Sequence, residues 1–309
     1  MLQNIATYRL NIDEELTIKK NSLRGNNPDG KRLAIVTGIH GDELEGQYIC
    51  YRLVNHITAN MGNLRGTVDI YPAVNPLGME SASRAVPMTG TDMNKVFPGS
   101  DDGAFAESIA KALVDDICGA DVCVDIHASN IFIREIPQVR IRSEKSGELV
   151  NYAKMLNTDM IWVHESNAVG DGSLAEALIA ANIPTLVVEM GVGQRIDIEY
   201  CEQLLHGIFN LMNKLGIWAV EERGISHPMI STDGAVHVIH ADSSGIFIPC
   251  VEHNNWIARG SVLGEIVTPI TGTVEQEITA PVDGVIFSLR EYPIVYEGSV
   301  IARMLSLEK

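Results

Sequence analysis

Hydrophobic and polar positions follow two regimes along this chain. From about residue 30 to 220, short apolar, β-rich runs alternate with longer stretches whose apolar residues recur at helical spacing. The runs at 33–38, 67–72, 121–126, 161–163 and 184–189 are predicted strands. Val122-Cys123-Val124-Asp125-Ile126 and Thr185-Leu186-Val187-Val188-Glu189 are nearly continuous apolar segments, as strands covered on both faces are. Helices are predicted near 43–60, 104–117, 145–156, 172–181 and 197–215, and Ser173 with Glu176 can form a capping box at the fourth. Strands alternating with helices imply an α/β fold with a mostly parallel or mixed sheet flanked by helices. After about residue 222 the helical spacing ends. Short β-rich segments are then separated by Gly234, Gly245, Gly260, Gly264, Pro269, Gly272, Pro281, Gly284 and Gly298, which reads as a small all-β unit. Two domains are therefore expected, 1–222 and 223–309, joined in Glu221-Glu222-Arg223-Gly224.

Composition narrows the function classes. The formal net charge is −17 and no basic block stands out, so nucleic acid and anionic membranes are not expected partners. The N-terminus lacks an apolar signal core and no apolar run reaches membrane-spanning length, so a cytoplasmic soluble protein is expected. Five scattered cysteines, Cys50, Cys118, Cys123, Cys201 and Cys250, read as reduced thiols, mostly buried.

Candidate chemistry gathers at the predicted strand ends. Gly38-Ile39-His40-Gly41-Asp42-Glu43-Leu44-Glu45-Gly46 comes after the first strand and precedes a helix, where open α/β sheets place ligands. A His and a Glu three residues apart at such a turn can reach one metal ion, and the glycines permit the turn. Asp125-Ile126-His127 ends a buried strand, and His127 can point into the same crevice. Asp125 is read as facing the other side and is not assigned to the metal. Two His and one Glu make a catalytic zinc set that leaves a position open for water. Glu189, ending another apolar strand before Met190 and Gly191, has reason to be buried near the metal and to accept a proton from that water. Asn75-Pro76, Arg84 and Asp92-Met93-Asn94-Lys95 lie in turn-rich segments between.

The order His40-x-x-Glu43, Asn75-Pro76, Arg84, Asp92-x-Asn94, Asp125-x-His127, Glu189 resembles the succinylglutamate desuccinylase/aspartoacylase family, within the wider zinc-carboxypeptidase fold. The resemblance spans most of residues 30–220, and the all-β tail fits the family layout. It is nearest to the uncharacterised bacterial branch. It implies one Zn2+ held by His40, Glu43 and His127. Glu189 matches the general base that activates the attacking water and then protonates the leaving amine. Arg84 matches the residue that stabilises the oxyanion. Asn94 matches one half of the clamp on the substrate α-carboxylate, and Asp92 the carboxylate orienting the first His. The other half of the clamp is usually Arg; here it is Lys95, a flexible point charge in place of a planar fork. That departure leaves both named substrates, N-acetylaspartate and N-succinylglutamate, open.

Other readings stand beside these. His127 could be a core histidine, Glu189 a strand-end acid and Lys95 a solvated cation. Arg134 and Arg140, both within residues 131–145, rival Arg84; their segment is either a loop bordering the site or a solvated basic strand. Residues 259–285 resemble a biotinyl/lipoyl barrel-sandwich, closest at Ile278-Thr279-Ala280-Pro281-Val282-Asp283-Gly284-Val285. The only Lys after residue 214 is Lys309, so the carrier role is not expected. The tail would shape or cover the mouth of the site, or make a contact in a homo-oligomer. The function expected is a zinc-dependent amidohydrolase acting on a small-molecule N-acyl amino acid or related amide. The alternatives are a zinc carboxypeptidase for small peptides and a metal-dependent binding protein without catalysis.

Overall fold

The apolar runs of the first two thirds build one large mixed sheet. The structure, a computed structural model, describes residues 1–309 apart from 28, 166–171, 222–223, 225–226 and 307–309, and apart from the side chains of 145 and 146. The strands of this part are β1 (Leu2–Arg9), β2 (Glu15–Arg24), β3 (Arg32–Thr37), β4 (Thr67–Tyr71), β5 (Val122–Ala128), β6 (Ile133–Arg142), β7 (Met160–His164) and β8 (Thr185–Gly191). The helices are α1 (Glu45–Ala59), α2 (Pro76–Glu80), α3 (Phe105–Ile117), α4 (Ser146–Ala153), α5 (Leu174–Ala180) and α6 (Ile198–Lys214). Strands β4, β3, β5 and β8 lie side by side and parallel. Every residue of β5 is buried, because helices cover both faces of this central group. Leu53 and Ile57 of α1 and Leu204 and Ile208 of α6 pack on one face; Ile109 and Leu113 of α3 and Leu178 of α5 pack on the other.

Helix starts are set by their caps. Ser173 caps α5 by accepting the Glu176 N–H at 3.2 Å, one half of the expected capping box; the Glu176 carboxylate accepts from the Gly172 N–H at 3.2 Å in place of the Ser173 N–H. Asp197 caps α6 by accepting from the Tyr200 N–H at 3.3 Å.

Two stretches depart from the sequence reading. An N-terminal hairpin, β1 with β2, adds antiparallel to the edge of β4. The segment carrying Arg134 and Arg140 is neither a loop nor a solvated strand: β6 is an internal strand pairing antiparallel with β8. Pro137 lies in it at a break in register between Glu135 and Gln138, and that break hides the strand's alternation.

The remaining strands are β9 (Met229–Thr232), β10 (Val236–His240), β11 (Gly245–Pro249), β12 (Trp256–Ile257), β13 (Val262–Thr268), β14 (Thr273–Thr279), β15 (Gly284–Arg290), β16 (Ile294–Val295) and β17 (Val300–Ser306). No α-helix comes after Lys214 among the described residues. Of the joint expected at 221–224, residues 222 and 223 lie outside the described set. Four of these strands form a separate sheet in the order β14-β13-β11-β16. Strand β15 instead pairs antiparallel with β6, setting Ser288 opposite Glu135, and β17 pairs with β15. The tail thus extends the large sheet towards its functional end. No helix among the described residues is long and apolar enough to cross a membrane. All five cysteines are free; Cys50, Cys123 and Cys201 are buried and Cys118 and Cys250 exposed.

Candidate active site

Parallel strands bring their C-terminal ends to one edge, and the candidate residues meet there. His40 comes after β3 on a turn that runs against α2; a Cβ at Gly41 would lie 2.0 Å from the Gly78 carbonyl carbon, so only glycine allows this approach. Strand β5 places His127 directly beside Glu189 of β8 in the parallel register. Glu43, just before α1, reaches between the two histidines.

His40, Glu43 and His127 are all buried, with one donor atom of each within 4.8 Å of the others. Glu43 Oε1 lies 2.7 Å from His40 Nδ1, and Glu43 Oε2 lies 2.9 Å from His127 Nδ1. The two Nδ1 atoms are 3.2 Å apart. Each histidine has a carboxylate behind its other nitrogen: Asp92 Oδ1 is 3.1 Å from His40 Nε2, and Asp125 Oδ2 is 3.2 Å from His127 Nε2. The expectation for Asp125 is corrected here. Residues two apart on a strand share a face, so Asp125 stands on the same side as His127. Paired inward nitrogens, a shared carboxylate and outer nitrogens backed by acids are what a zinc site with oriented histidines requires. Burial opposes charge on His40, yet Glu43 and Asp92 outweigh it and raise its pKa. Burial would raise the Glu43 pKa, but His127 and His40 pull it below the ordinary range.

A cavity of about 500 Å³ opens beside this cluster. Glu189 lines it, and burial raises its pKa against the opposing pull of Arg140 and His127. Arg84 lines the same cavity, donating to Glu43 Oε1 at 3.0 Å and to Asp92 Oδ2 at 3.3 Å, with its side chain 46% exposed. Its two rivals separate. Arg134 pairs with Asp197 at the start of α6 and does not line the cavity. Arg140 does, donating to Glu189 Oε1 at 3.3 Å and to Glu135 Oε2 at 2.9 Å.

Asn94 and Lys95 sit in a short 3-10 turn capped by Asp92, whose Oδ1 accepts the Asn94 N–H at 3.0 Å. The Asn94 side-chain oxygen is taken by the Leu174 N–H at 3.0 Å. Its amide NH2 is therefore the group it offers to the cavity, a donor suited to a carboxylate. Lys95 lines the cavity, is exposed, and has no ion-pair partner among the described residues. The site also includes residues the sequence reading left out. Glu135 and Arg303 line the cavity, the latter from β17. The pairing of β15 with β6 and of β17 with β15 brings Arg303 in, and no local pattern in the tail announces it.

Comparison with known proteins places this constellation. Residues 29–215, more than half of the chain, match the family model of the succinylglutamate desuccinylase/aspartoacylase catalytic domain. An N-alpha-acetyl-L-2,4-diaminobutyric acid deacetylase of Halomonas elongata is 25% identical over 285 residues, covering 89% of this chain and 82% of its own. Among solved structures, a succinylglutamate desuccinylase/aspartoacylase of Rhodobacter sphaeroides superposes with a TM-score of 0.83 at 21% identity, over 100% of this chain and 95% of that one. The product-bound ectoine utilization protein of Ruegeria pomeroyi gives 0.83 at 20% identity, over 96% and 90%. These two show the same fold, tail included. The chain belongs to the succinylglutamate desuccinylase/aspartoacylase family, whose members are deacylases that hydrolyse amide bonds.

Proposed function

We propose that this protein is a zinc-dependent deacylase that removes the acyl group from a small N-acylated amino acid. The observation that carries the reading is the union, in one cavity, of the carboxylate-backed His40–Glu43–His127 cluster with a half-buried Glu189. His40, Glu43 and His127 would hold the ion, which supplies Lewis-acid polarisation of the scissile carbonyl and a more acidic water. Glu189 takes the proton from the attacking water and returns it to the leaving amine, a role that a raised carboxylate pKa favours. Arg84 donates to the oxygen on which negative charge develops. Asn94 and Lys95 receive the free α-carboxylate. A cavity of about 500 Å³ suits one acylated amino acid. A binding protein has no use for Glu189.

The side-chain preference comes from charge. Glu135 is already engaged by Arg140 and Arg303, so it is not free to receive a cationic side chain. The reading favours neutral or acidic amino acids over the diaminobutyrate of the Halomonas relative. Zinc-loaded protein offered N-acetyl derivatives of aspartate, glutamate, alanine and 2,4-diaminobutyrate should release amine from the first three in preference. Release from none of them, or from the last alone, would overturn the reading.

The ligand set has its own check. The wild-type protein should carry about one zinc per chain, and His127→Ala should lose most of it because two donors rarely retain zinc. Elemental analysis of both decides; equal zinc in both removes His127 from the set.

Lys95 should matter for substrates with a free carboxylate. Lys95→Ala is expected to raise KM about tenfold for such a substrate, the scale of one charge-assisted hydrogen bond at an exposed position. The amidated analogue should be nearly unaffected. Lys95→Arg should be tolerated or bind more tightly through two parallel hydrogen bonds. Unchanged kinetics for both substrates in Lys95→Ala would leave Lys95 as a solvated cation.

A further inference from the structure

We infer that Arg303, on the last strand, is a positioning residue for Glu189, acting through Glu135 and Arg140; this rests on Glu189 being the general base. The four side chains form an unbroken chain of alternating charge along the cavity wall. Arg303 Nη1 donates to Glu135 Oε1, Arg140 Nη2 donates to Glu135 Oε2 at 2.9 Å, and Arg140 Nη1 donates to Glu189 Oε1 at 3.3 Å. The sheet register builds the chain. Ser288 of β15 stands opposite Glu135 on one side and Arg303 on the other, and its Oγ is 3.4 Å from Arg303 Nη1.

The two carboxylates compete for Arg140. Glu135 is 1% exposed and cannot turn to water for a partner. Its contact with Arg140 is the shorter of the two, so an unassisted Glu135 would draw the whole guanidinium onto itself. Arg303 prevents this by satisfying the other Glu135 oxygen. Arg140 is then left spanning both acids, and one of its nitrogens fixes the Glu189 carboxylate. Glu135 is buried and its partners are half-buried, so a reduced local dielectric strengthens each contact. The tail therefore reaches the chemistry without touching the reacting atoms, through a strand that is hydrogen-bonded into the catalytic sheet.

Two rival roles make different predictions. A purely structural Arg303 would staple β17 to β6 and leave turnover intact. An Arg303 that touches substrate would change KM. The test is steady-state kinetics of Arg303→Met, Arg303→Lys, Glu135→Gln and the Arg303→Met/Glu135→Gln double variant, with zinc content and melting curves for each. Arg303→Met is expected to lower kcat about 10- to 100-fold, the scale of a small misplacement of a catalytic group. KM should stay within about twofold, since no binding contact is lost. Zinc content should be unchanged, and Arg303→Lys should recover part of the rate. The double variant should be no slower than Glu135→Gln alone, because both break one chain. Unchanged kcat, a rise in KM alone, or additive losses would each overturn it. Glu189→Gln in the same panel separates the two levels. If that variant remains active, the base assignment falls and this inference with it. If it is inactive while Arg303→Met is normal, only the link from the tail falls. Arg303→Met also keeps the question answerable if Glu135→Gln does not fold.

Discussion

Glu189→Gln is expected to lose about 10²–10⁴-fold in kcat while keeping its zinc, the scale for removing a positioned acid/base. The substitution preserves volume and the ability to hydrogen-bond Arg140, so the packing at the end of β8 is retained. Proton-accepting power is removed. Glu189 is not one of the three clustered donors; it stands beside His127 in the neighbouring strand. Zinc content should therefore match the wild-type protein, and KM should change little, because the lost interaction belongs to the transition state. Amine release under saturating substrate and elemental analysis of the same sample give both numbers. Near-normal turnover would mean that another group moves the proton. Glu135 is the carboxylate to test next, since it lines the same cavity.

How much of this site the sequence discloses depends on how local each signal is. His40 and Glu43 lie three residues apart on one turn, and His127 and Glu189 each end an apolar run, so spacing and strand pattern suffice to find them. The order of the motifs then suffices for the family. Asp125 is misread because every residue of its strand is buried, which conceals which face each takes; the two-residue period alone places it with His127. Arg140 is weighed only as a rival to Arg84. Its strand carries four charges and a proline within ten residues, a composition that looks solvated until β8 and β15 are seen on either side. Arg303 is the least legible. Its place depends on the antiparallel pairing of β15, its strand's neighbour, with β6 far away in the sequence, and such register is written in neither end alone. The N-terminal hairpin is missed for a related reason: β1 is an edge strand with every residue at least partly exposed, so no apolar run marks it.

Arg84→Gln should lower kcat about 10²–10³-fold, the range for loss of one donor to a developing oxyanion. The arginine is well placed for this. Its Nη1 reaches Glu43 Oε1 at 3.0 Å, so the guanidinium borders the cluster of His40, Glu43 and His127 that would hold the ion. With 46% of its side chain exposed it is free to turn from Glu43 towards a substrate oxygen. The same contacts raise a competing explanation, because Arg84 also touches Asp92, which backs His40. A loss of rate caused by a disturbed histidine would come with lost zinc; a loss of oxyanion stabilisation would not. Arg84→Lys separates them further. It restores the positive charge but not the forked geometry, so it should recover part of kcat at unchanged zinc content. Arg140 is the remaining candidate for the role. Its two terminal nitrogens are already committed to Glu189 and Glu135, whereas Arg84 has the greater freedom to move. Normal turnover in Arg84→Gln together with an inactive Arg140→Gln would transfer the role to Arg140 and require that it release Glu189 when substrate binds.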